Sequence, residues 1–279
     1  MDYSILRAII LGVIQGIAEF LPISSSGHLV IFGDLLHRVM GTHSQQGEDL
    51  HMNIALHVGT LFSILWVYRD EIRHRVFQQP RLMLGICIAT LPLVAIGLSS
   101  IKDIIEDIFN TPLYAGCGLL VTALFLFLGQ KLQREAANST LKELHPMQAM
   151  LVGLFQAVAI IPGISRSGST ISAGLLCGIE RQAAATFSFL IAIPAIAGAA
   201  VLMLKDILTQ PPVATSTTST VASGNYHVAL WVGGITAFFV GWGSLRGLLT
   251  LIGKGRLHYF AIYCLLLGSS TIIWQLFFV

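Results

Sequence analysis

The sequence predicts an all-α polytopic membrane protein built from two repeats of inverted topology, and three observations lead to this fold class. Apolar residues make up 54% of the 279 residues and charged residues only 11%, whereas soluble domains average about 25% charged residues. Apolar stretches of about 20 residues, the length that crosses a bilayer as a helix, recur along the chain. A motif near the N-terminus also returns in the second half. We therefore expect one integral membrane domain over 1–279, with repeat one at 1–141 and repeat two at 142–279.

The repeated motif reads GVIQGIAEFLPISSSGH at 12–28 and GLFQAVAIIPGISRSGS at 153–169. Seven positions are identical at a constant offset of 141 residues: Gly12/Gly153, Gln15/Gln156, Ala18/Ala159, Ile23/Ile164, Ser24/Ser165, Ser26/Ser167 and Gly27/Gly168. The positions that differ carry reactive groups: Glu19, Ser25 and His28 in the first copy, Arg166 and Thr170 in the second. This division predicts one site built from two halves.

The apolar pattern predicts five helices in each repeat. In repeat one, a broken pair at 3–21 and 26–37 precedes spans at 52–68, 82–99 and 112–129. In repeat two, the pair lies at 147–160 and 168–178, and the spans lie at 184–204, 227–247 and 257–277. The second helix of each pair is too short to cross a bilayer, so the pairs are predicted to be re-entrant. Three full spans per repeat is an odd number, so the second repeat should be inverted and its tip should meet the tip of the first.

The positive charges of the loops favour this topology. The predicted loops 69–81, 130–146, 179–182 and 246–256 would share one face, and they hold eleven of the sixteen Lys and Arg residues. The positive-inside rule makes that face cytoplasmic and places both termini outside. The N-terminal apolar stretch lacks a basic n-region, so we expect it to remain in the mature protein. No basic cluster with interleaved aromatic residues is present, and nucleic acid is therefore not an expected partner.

Glu19 is the first candidate site residue, because a carboxylate within a membrane helix costs about 2.5–3.5 kcal/mol on insertion scales. Gln15 lies four residues earlier and shares its helix face. The structural alternatives are that Glu19 snorkels to the interface or ties two helices together by a hydrogen bond. A polar turn follows within nine residues, which favours a functional role: Ser24, Ser25, Ser26, Gly27 and His28.

Chemistry within this turn depends on where the next helix begins. Capping of that helix would explain one serine, and Gly27 would let the backbone approach a ligand closely. If the helix begins near Ser25, His28 lies one turn further on, within reach of the Ser25 hydroxyl. Such a pair is typical of a nucleophile and its general base.

The corresponding turn of repeat two, GISRSGST at 163–170, predicts an anion site. Hydroxyls, glycines and a helix N-terminus direct N–H groups and the helix dipole at an anion, and the guanidinium of Arg166 suits phosphate oxygens. Further phosphate-binding candidates lie beside Arg166: Ser165, Ser167, Gly168 and Thr170. The alternative is that Arg166 pairs with Glu19, and the two interpretations are compatible in a resting state. His57, on an apolar helix, is interpreted as a satisfied core histidine.

Over its whole length, the chain resembles the bacterial undecaprenyl-diphosphate phosphatases (UppP, also called BacA). The resemblance rests on four motifs: QxxxE at 15–19, FLPISSSGH at 20–28, PGISRSGST at 162–170 and FSFLIAIP at 187–194. It implies an inner-membrane enzyme that removes the terminal phosphate of undecaprenyl diphosphate, recycles the lipid carrier of peptidoglycan synthesis and confers bacitracin resistance. It also implies the catalytic set Glu19, Ser25, His28 and Arg166, with Ser25 as nucleophile.

The resemblance further implies a divalent metal, Mg²⁺ or Ca²⁺, for which Glu19 and Gln15 are the candidate ligands. Many members of the family have Glu at the position of Gln15, and several have Glu at the position of Thr186. Both differences replace a carboxylate by a neutral group, which leaves the number and position of the ions open.

The expected partners are a polyprenyl diphosphate substrate and membrane lipids, and homo-oligomerisation is left open. The rival function is an inverted-repeat transporter or flippase of a lipid phosphate or small anion, since transporters share this architecture. A second rival, the type-2 phosphatidic-acid phosphatases, needs a His-xxx-Asp element after the arginine, and none follows Arg166.

Overall fold

The structure is a computed structural model that describes residues 3–40, 46–101, 104–105, 111–132, 140–209 and 222–277. These residues form helices and short connections, without strands. Within the described ranges the main helices follow in chain order: α1 (Tyr3–Ala18), α2 (Ser25–Met40), α3 (Gln46–Val67), α4 (Pro80–Gly97), α5 (Pro112–Lys131), α6 (Pro146–Val158), α7 (Arg166–Leu176), α8 (Arg181–Thr209), α9 (Ala222–Gly253) and α10 (His258–Phe277). Two short helical segments, Arg69–Glu71 and the π-helix Ile72–Val76, lie between α3 and α4.

The prediction of an all-α polytopic membrane protein is confirmed. Within the described residues, five helices are long and apolar enough to cross a membrane: Pro80–Gly97, Pro112–Lys131, Arg181–Lys205, Tyr226–Gly253 and His258–Phe277. The sixth predicted span, 52–68, corresponds to α3, whose apolar part His51–Val67 ranks among the shorter apolar helices. The chain between the predicted spans 184–204 and 227–247 lies partly outside the described residues, which omit 210–221.

Both predicted breaks in the helix pairs are present. The chain leaves α1 after Ala18 and enters α2 at Ser25, and it leaves α6 after Val158 and enters α7 at Arg166. Ser25 and Arg166 are therefore equivalent first residues of equivalent helices. Each break contains a proline, which cannot continue a helix, and a residue with positive φ that reverses the chain.

The first helix of each repeat packs mainly on a helix of the other repeat. α1 packs most extensively against α9, and α6 packs against α4. The equivalent glycines Gly12 and Gly153 allow both contacts, because a Cβ at Gly12 would lie 2.7 Å from the carbonyl oxygen of Gly233 and one at Gly153 would lie 2.5 Å from that of Ala89. The two halves are thus interlocked by backbone-to-backbone contacts at corresponding positions.

The two turns also pack on each other. A Cβ added to Gly27 would lie 2.9 Å from Cα of Gly163, and one added to its equivalent, Gly168, would lie 3.4 Å from Cβ of Pro22. Pro22 and Gly163 are themselves equivalent positions at the offset of 141 residues. Each turn therefore contacts the other through the same pair of positions, which brings the two Ser-rich motifs together.

Large apolar side chains surround the paired turns. Phe20, Phe187 and Phe189 are fully buried, and the rings of Phe20 and Phe189 meet edge to face at 6.0 Å. Tyr68, from the end of α3, stacks on Phe189 from the other side. The FSFLIAIP stretch therefore forms the core that supports the turns.

Replacing Gly163 by alanine should destabilise the fold. Gly163 has a φ of 89° and touches the backbone of Ala115, so a Cβ would be both strained and in collision with that backbone. The left-handed conformation alone costs a non-glycine residue about 1–2 kcal/mol, and we expect Gly163→Ala to lower the thermal unfolding midpoint in detergent markedly. Gly198→Ala is the control, because no atom lies within 4 Å of a Cβ at this helical position. Equal midpoints for the two variants would contradict the close packing of the second turn on α5.

Candidate active site

A single carboxylate, that of Glu19, lies at the centre of the paired turns. Its Oε2 accepts hydrogen bonds from Ser25 Oγ at 2.7 Å and from Gln15 Nε2 at 3.1 Å. Its Oε1 accepts from Nη2 of Arg166 at 2.7 Å. The structure therefore brings together three of the reactive residues that the sequence divides between the two copies: Glu19, Ser25 and Arg166.

The ion pair between Glu19 and Arg166 is buried. The side chains of Glu19 and Arg166 are only 6% and 15% exposed. Nη1 of Arg166 is buried and has no hydrogen-bond partner within the described residues. A buried donor without a partner is costly. Nη1 is therefore the group of the site best placed to donate a hydrogen bond to an oxygen atom of a ligand. The alternative in which Arg166 pairs with Glu19 is thus present in the structure. The pairing uses Nη2 and leaves Nη1 for an anion.

The serines shared by the two copies cap helices. Ser24 Oγ accepts from the N–H of Gly27 at 3.2 Å and contacts Ser26 Oγ at 3.2 Å. The same two interactions recur in the second turn, where Ser165 Oγ accepts from Gly168 N–H at 3.1 Å and contacts Ser167 Oγ at 3.2 Å. These hydroxyls are used by the turn itself, and their predicted contacts with phosphate stay predictions.

Backbone geometry differs between the turns in one respect. Ser24 has a φ of 70°, in the left-handed region, whereas its counterpart Ser165 has a φ of −71°. A non-glycine residue in that region costs about 1–3 kcal/mol and is common at functional sites. The strain lies in the residue directly before Ser25, the position where the two copies differ in chemistry.

His28 occupies a position other than the one that the sequence suggested. Its Nδ1 lies 2.7 Å from the carbonyl oxygen of Ser24, and its Nε2 lies 2.7 Å from the hydroxyl of Tyr263. Because a carbonyl can only accept, Nδ1 carries the proton and Nε2 accepts from Tyr263. The expected hydrogen bond between Ser25 and His28 is therefore wrong: Ser25 donates to Glu19, and His28 links α2 to α10.

Thr170 and Thr122 hold the second turn in place. Thr170 is fully buried, and its hydroxyl donates to the Arg166 carbonyl at 2.8 Å and contacts Ser188 Oγ on α8 at 2.6 Å. Thr122, on α5, accepts from the N–H of Ser165 at 2.8 Å. The backbone that carries Arg166 is thus anchored to two neighbouring helices.

His57 also lies at the site, although no motif in the sequence indicates this. Its Nε2 lies 4.0 Å from Glu19 Oε2, and its side chain is 24% exposed. The interpretation of His57 as a satisfied core histidine holds for Nδ1, which lies 2.8 Å from the carbonyl oxygen of Asn53, and the second nitrogen faces Glu19. The contact joins α3 to the end of α1, and no local spacing in the sequence signals it.

The described residues do not fit a metal ion held by the protein. No group of three or more His, Cys, Asp or Glu side chains within the described ranges could bind one. Both oxygens of Glu19 already accept hydrogen bonds, one of them from the positively charged Arg166, which would repel a cation at that carboxylate. Gln15 turns its NH₂ group toward Glu19, so its oxygen points away from the carboxylate.

A large apolar groove lies apart from these residues. It has a volume of about 980 Å³ and runs between α3 and α9, lined by side chains that include Phe62, Trp66, Trp231 and Phe239. None of the predicted site residues lines it. In a membrane protein such a surface is suited to lipid chains, and the polar chemistry is confined to the paired turns.

The fold and the site together define a polytopic membrane protein with a buried serine–carboxylate–arginine centre. The family model described as bacitracin resistance protein BacA matches residues 8–270, and the chain belongs to this family. It is 42% identical over 273 residues to an undecaprenyl-diphosphatase of Rhodopirellula baltica, covering 98% of each chain. It is 38% identical over 290 residues to that of Alkaliphilus metalliredigens, covering 97% of this chain and 98% of the relative. A relative of the same name from Bacteroides fragilis is 38% identical over 277 residues. The resemblance stated from the motifs is confirmed.

Removing one member of the buried ion pair should destabilise the protein. Glu19→Gln leaves the guanidinium of Arg166 without a counter-charge, and breaking a buried pair in this way costs about 3–5 kcal/mol. Arg166→Gln should lower the unfolding midpoint by a similar amount. The double variant removes both charges at once, so its midpoint should fall by clearly less than the sum of the two single decreases. Thermal unfolding of the four proteins in one detergent measures this coupling. Additive losses would show that the two side chains do not stabilise each other.

Proposed function

We propose that the protein hydrolyses undecaprenyl diphosphate to undecaprenyl phosphate and inorganic phosphate, and so recycles the lipid carrier of peptidoglycan synthesis. The observation that carries this proposal is the Glu19 carboxylate, which lies 2.7 Å from both the Ser25 hydroxyl and the Arg166 guanidinium. A nucleophile, an acceptor for its proton and a clamp for phosphate are thereby adjacent. Relatives named undecaprenyl-diphosphatase that match nearly the whole chain support the same substrate, and bacitracin resistance follows from the family.

Ser25 is the nucleophile of the first step. Its hydroxyl already donates to Glu19, so Oε2 is in position to take the proton as Oγ attacks the terminal phosphorus. A bond forms between Oγ and phosphorus, the bridging P–O bond breaks, and undecaprenyl phosphate leaves with the bonding electrons. The phosphoryl group is then held as phosphoserine.

Arg166 stabilises the group in transfer. Phosphoryl transfer depends mainly on positioning and on neutralising charge, and the buried Nη1 of Arg166 is without a partner among the described residues. The N-terminus of α7, which begins at Arg166, adds a favourable dipole for an anion. In the second step, water attacks phosphorus opposite Oγ, and the Oγ–P bond breaks as Oγ takes back the proton it gave up in the first step. Both hydrogens of the water leave with the inorganic phosphate.

A divalent ion, Mg²⁺ or Ca²⁺, remains part of this proposal, with a changed place of binding. Because Glu19 is fully engaged by Arg166 and Ser25, we place the ion on the phosphate oxygens of the substrate, where Mg²⁺ commonly binds. When bound there, it would neutralise charge on the diphosphate.

The inverted repeat is part of the proposal as well. The first helix of each repeat packs on a helix of the other repeat, α1 on α9 and α6 on α4, which supports the inverted repeat. The reciprocal contacts between the two turns support it as well. In this arrangement the two re-entrant tips meet within the bacterial inner membrane, and both termini face outside.

A transporter of lipid phosphate or small anions is not favoured. A passive anion site needs an arginine and hydroxyls, but it does not need a serine held against a carboxylate at 2.7 Å. The names of the relatives also point to hydrolysis.

Phosphate release by the purified protein tests the reaction and the nucleophile. Loss of a nucleophile typically costs several powers of ten in rate, whereas loss of one hydrogen-bond donor costs about 10²–10³. Ser25→Ala should be essentially inactive on undecaprenyl diphosphate and still bind it, while Ser26→Ala, which loses only a hydroxyl at the cap, keeps measurable turnover. Parallel assays with EDTA test the ion. A Ser25→Ala protein with a tenth of normal activity would favour attack by water instead of phosphoserine.

Cysteine labelling tests the topology. Single cysteines in the loops 69–81 and 209–224, placed in a chain without its four native cysteines, should react with an impermeant reagent from opposite sides of the membrane. The inside-out and right-side-out orientations of the same vesicles serve as mutual controls. Labelling of both loops from one side would rule out three full spans per repeat.

A further inference from the structure

His57 faces the Glu19 carboxylate from a helix outside the two turns. It lies on α3, and its Nε2 is 4.0 Å from Glu19 Oε2. The same oxygen accepts the hydrogen bond from the Ser25 hydroxyl. A distance of this size is bridged by a small side-chain movement or by one water molecule. Hydrogen bonds of catalytic groups are often long before substrate binds. His57 and Ser25 therefore approach one carboxylate oxygen from two sides.

The tautomer of the neutral His57 ring follows from its other contact. Nδ1 lies 2.8 Å from the carbonyl oxygen of Asn53. A carbonyl only accepts, so Nδ1 is the N–H of the neutral ring and Nε2 carries the lone pair. In the neutral ring, a lone pair therefore faces a carboxylate oxygen. The nitrogen and the carboxylate oxygen attract each other once Nε2 carries a proton. Nε2 of the neutral ring is therefore a proton acceptor that faces the site.

His28 cannot fill this role in the geometry of the site. Its Nδ1 donates to the Ser24 carbonyl, and its Nε2 already accepts from the Tyr263 hydroxyl. Of these two histidines, only His57 has an accepting nitrogen directed at Glu19.

We propose that His57 receives, through Glu19, the proton that Ser25 loses on attack, and returns it when the phosphoserine is hydrolysed. This inference rests on the proposed function. In the first step, the Ser25 proton passes to Glu19 Oε2 and from there to Nε2 of His57, while the bridging P–O bond breaks. In the second step, water bonds to phosphorus, the Oγ–P bond breaks, and Oγ takes the proton back by the same route. Both hydrogens of the water leave with the inorganic phosphate.

The buried ion pair explains why such a transfer is useful. A Glu19 that kept the proton would be neutral, and the buried guanidinium of Arg166 would lose its counter-charge. This loss would come at the moment when the phosphoryl group needs the guanidinium held in place. An imidazole ordinarily holds a proton about a hundredfold more tightly than a carboxylic acid. Transfer to His57 restores the carboxylate. Because His57 acts through Glu19, it is a positioning residue and not a catalytic one.

The electrostatic surroundings of His57 are simple. Glu19 is the charged group that faces it from the end of α1, and Arg166 of α7 is reached only through the other oxygen of that carboxylate. The described side chains of α8 and α9, the other helices packed on α3, form no ion pair with it. We therefore expect protonation of His57 to change the reaction rate through its contact with Glu19.

The experiment compares His57→Gln with the native protein and with the control His51→Gln. Glutamine can still place an amide near Glu19, but it cannot take up a proton. His51 lies on the same helix, lines the apolar groove and contacts Tyr226. Phosphate release from undecaprenyl diphosphate is measured over a range of pH to give kcat and KM. We expect His57→Gln to lower kcat by about 10²-fold or more, within the usual range for acid–base groups, with KM unchanged.

The pH profile separates proton transfer from a structural role. Protonated His57 cannot accept, so the native rate should fall at acid pH, and His57→Gln should lose this dependence. Imidazole in the buffer should restore part of the activity of His57→Ala, which also covers the case in which the glutamine variant folds poorly. A His57→Gln protein with native kcat, a reduced kcat with an unchanged acid limb, or a His57→Ala protein that imidazole does not restore would overturn the inference. Failure of the native protein to release phosphate would instead contradict the proposed function.

Discussion

One buried carboxylate joins the two halves of this protein. Glu19 directly follows the first helix of repeat one, and through its two oxygens it binds the first residue of α2 and the first residue of α7. Such a charge is tolerated inside a membrane protein because its partners are fixed by the backbone. The reciprocal contacts of Gly27 with Gly163 and of Gly168 with Pro22 set the distance between the turns. The position of each reactive group therefore depends on the packing of the opposite half.

The repeat separates structural from chemical roles. The serines at equivalent positions form the same cap twice, with the same acceptor and the same neighbouring hydroxyl. At the first position of the following helix, one copy has Ser25 and the other has Arg166. Duplicated positions hold the turns, and one pair of unequal positions, Ser25 and Arg166, supplies nucleophile and clamp. One site per molecule is the natural result.

Much of this arrangement could be predicted from local sequence. The prolines and the Ser-Gly motifs identify both breaks, and the identical offset identifies equivalent residues. The partner of Ser25 could not be predicted in this way. At the start of a helix the side chain points back toward the preceding turn, so Ser25 reaches Glu19, while His28 turns toward the Ser24 carbonyl. The role of His57 depends on how α3 packs against the end of α1, and no spacing along the chain encodes that contact.

The separation of the ion pair along the chain has a consequence for biosynthesis. Arg166 follows Glu19 by 147 residues. At a synthesis rate of about 5–20 residues per second, the carboxylate is made roughly 7–30 s before its guanidinium partner exists. During this interval the first helices enter the membrane with an acidic group whose arginine partner has not yet been made. The insertion machinery, or water at the edge of the bilayer, has to shelter Glu19 until the second half arrives.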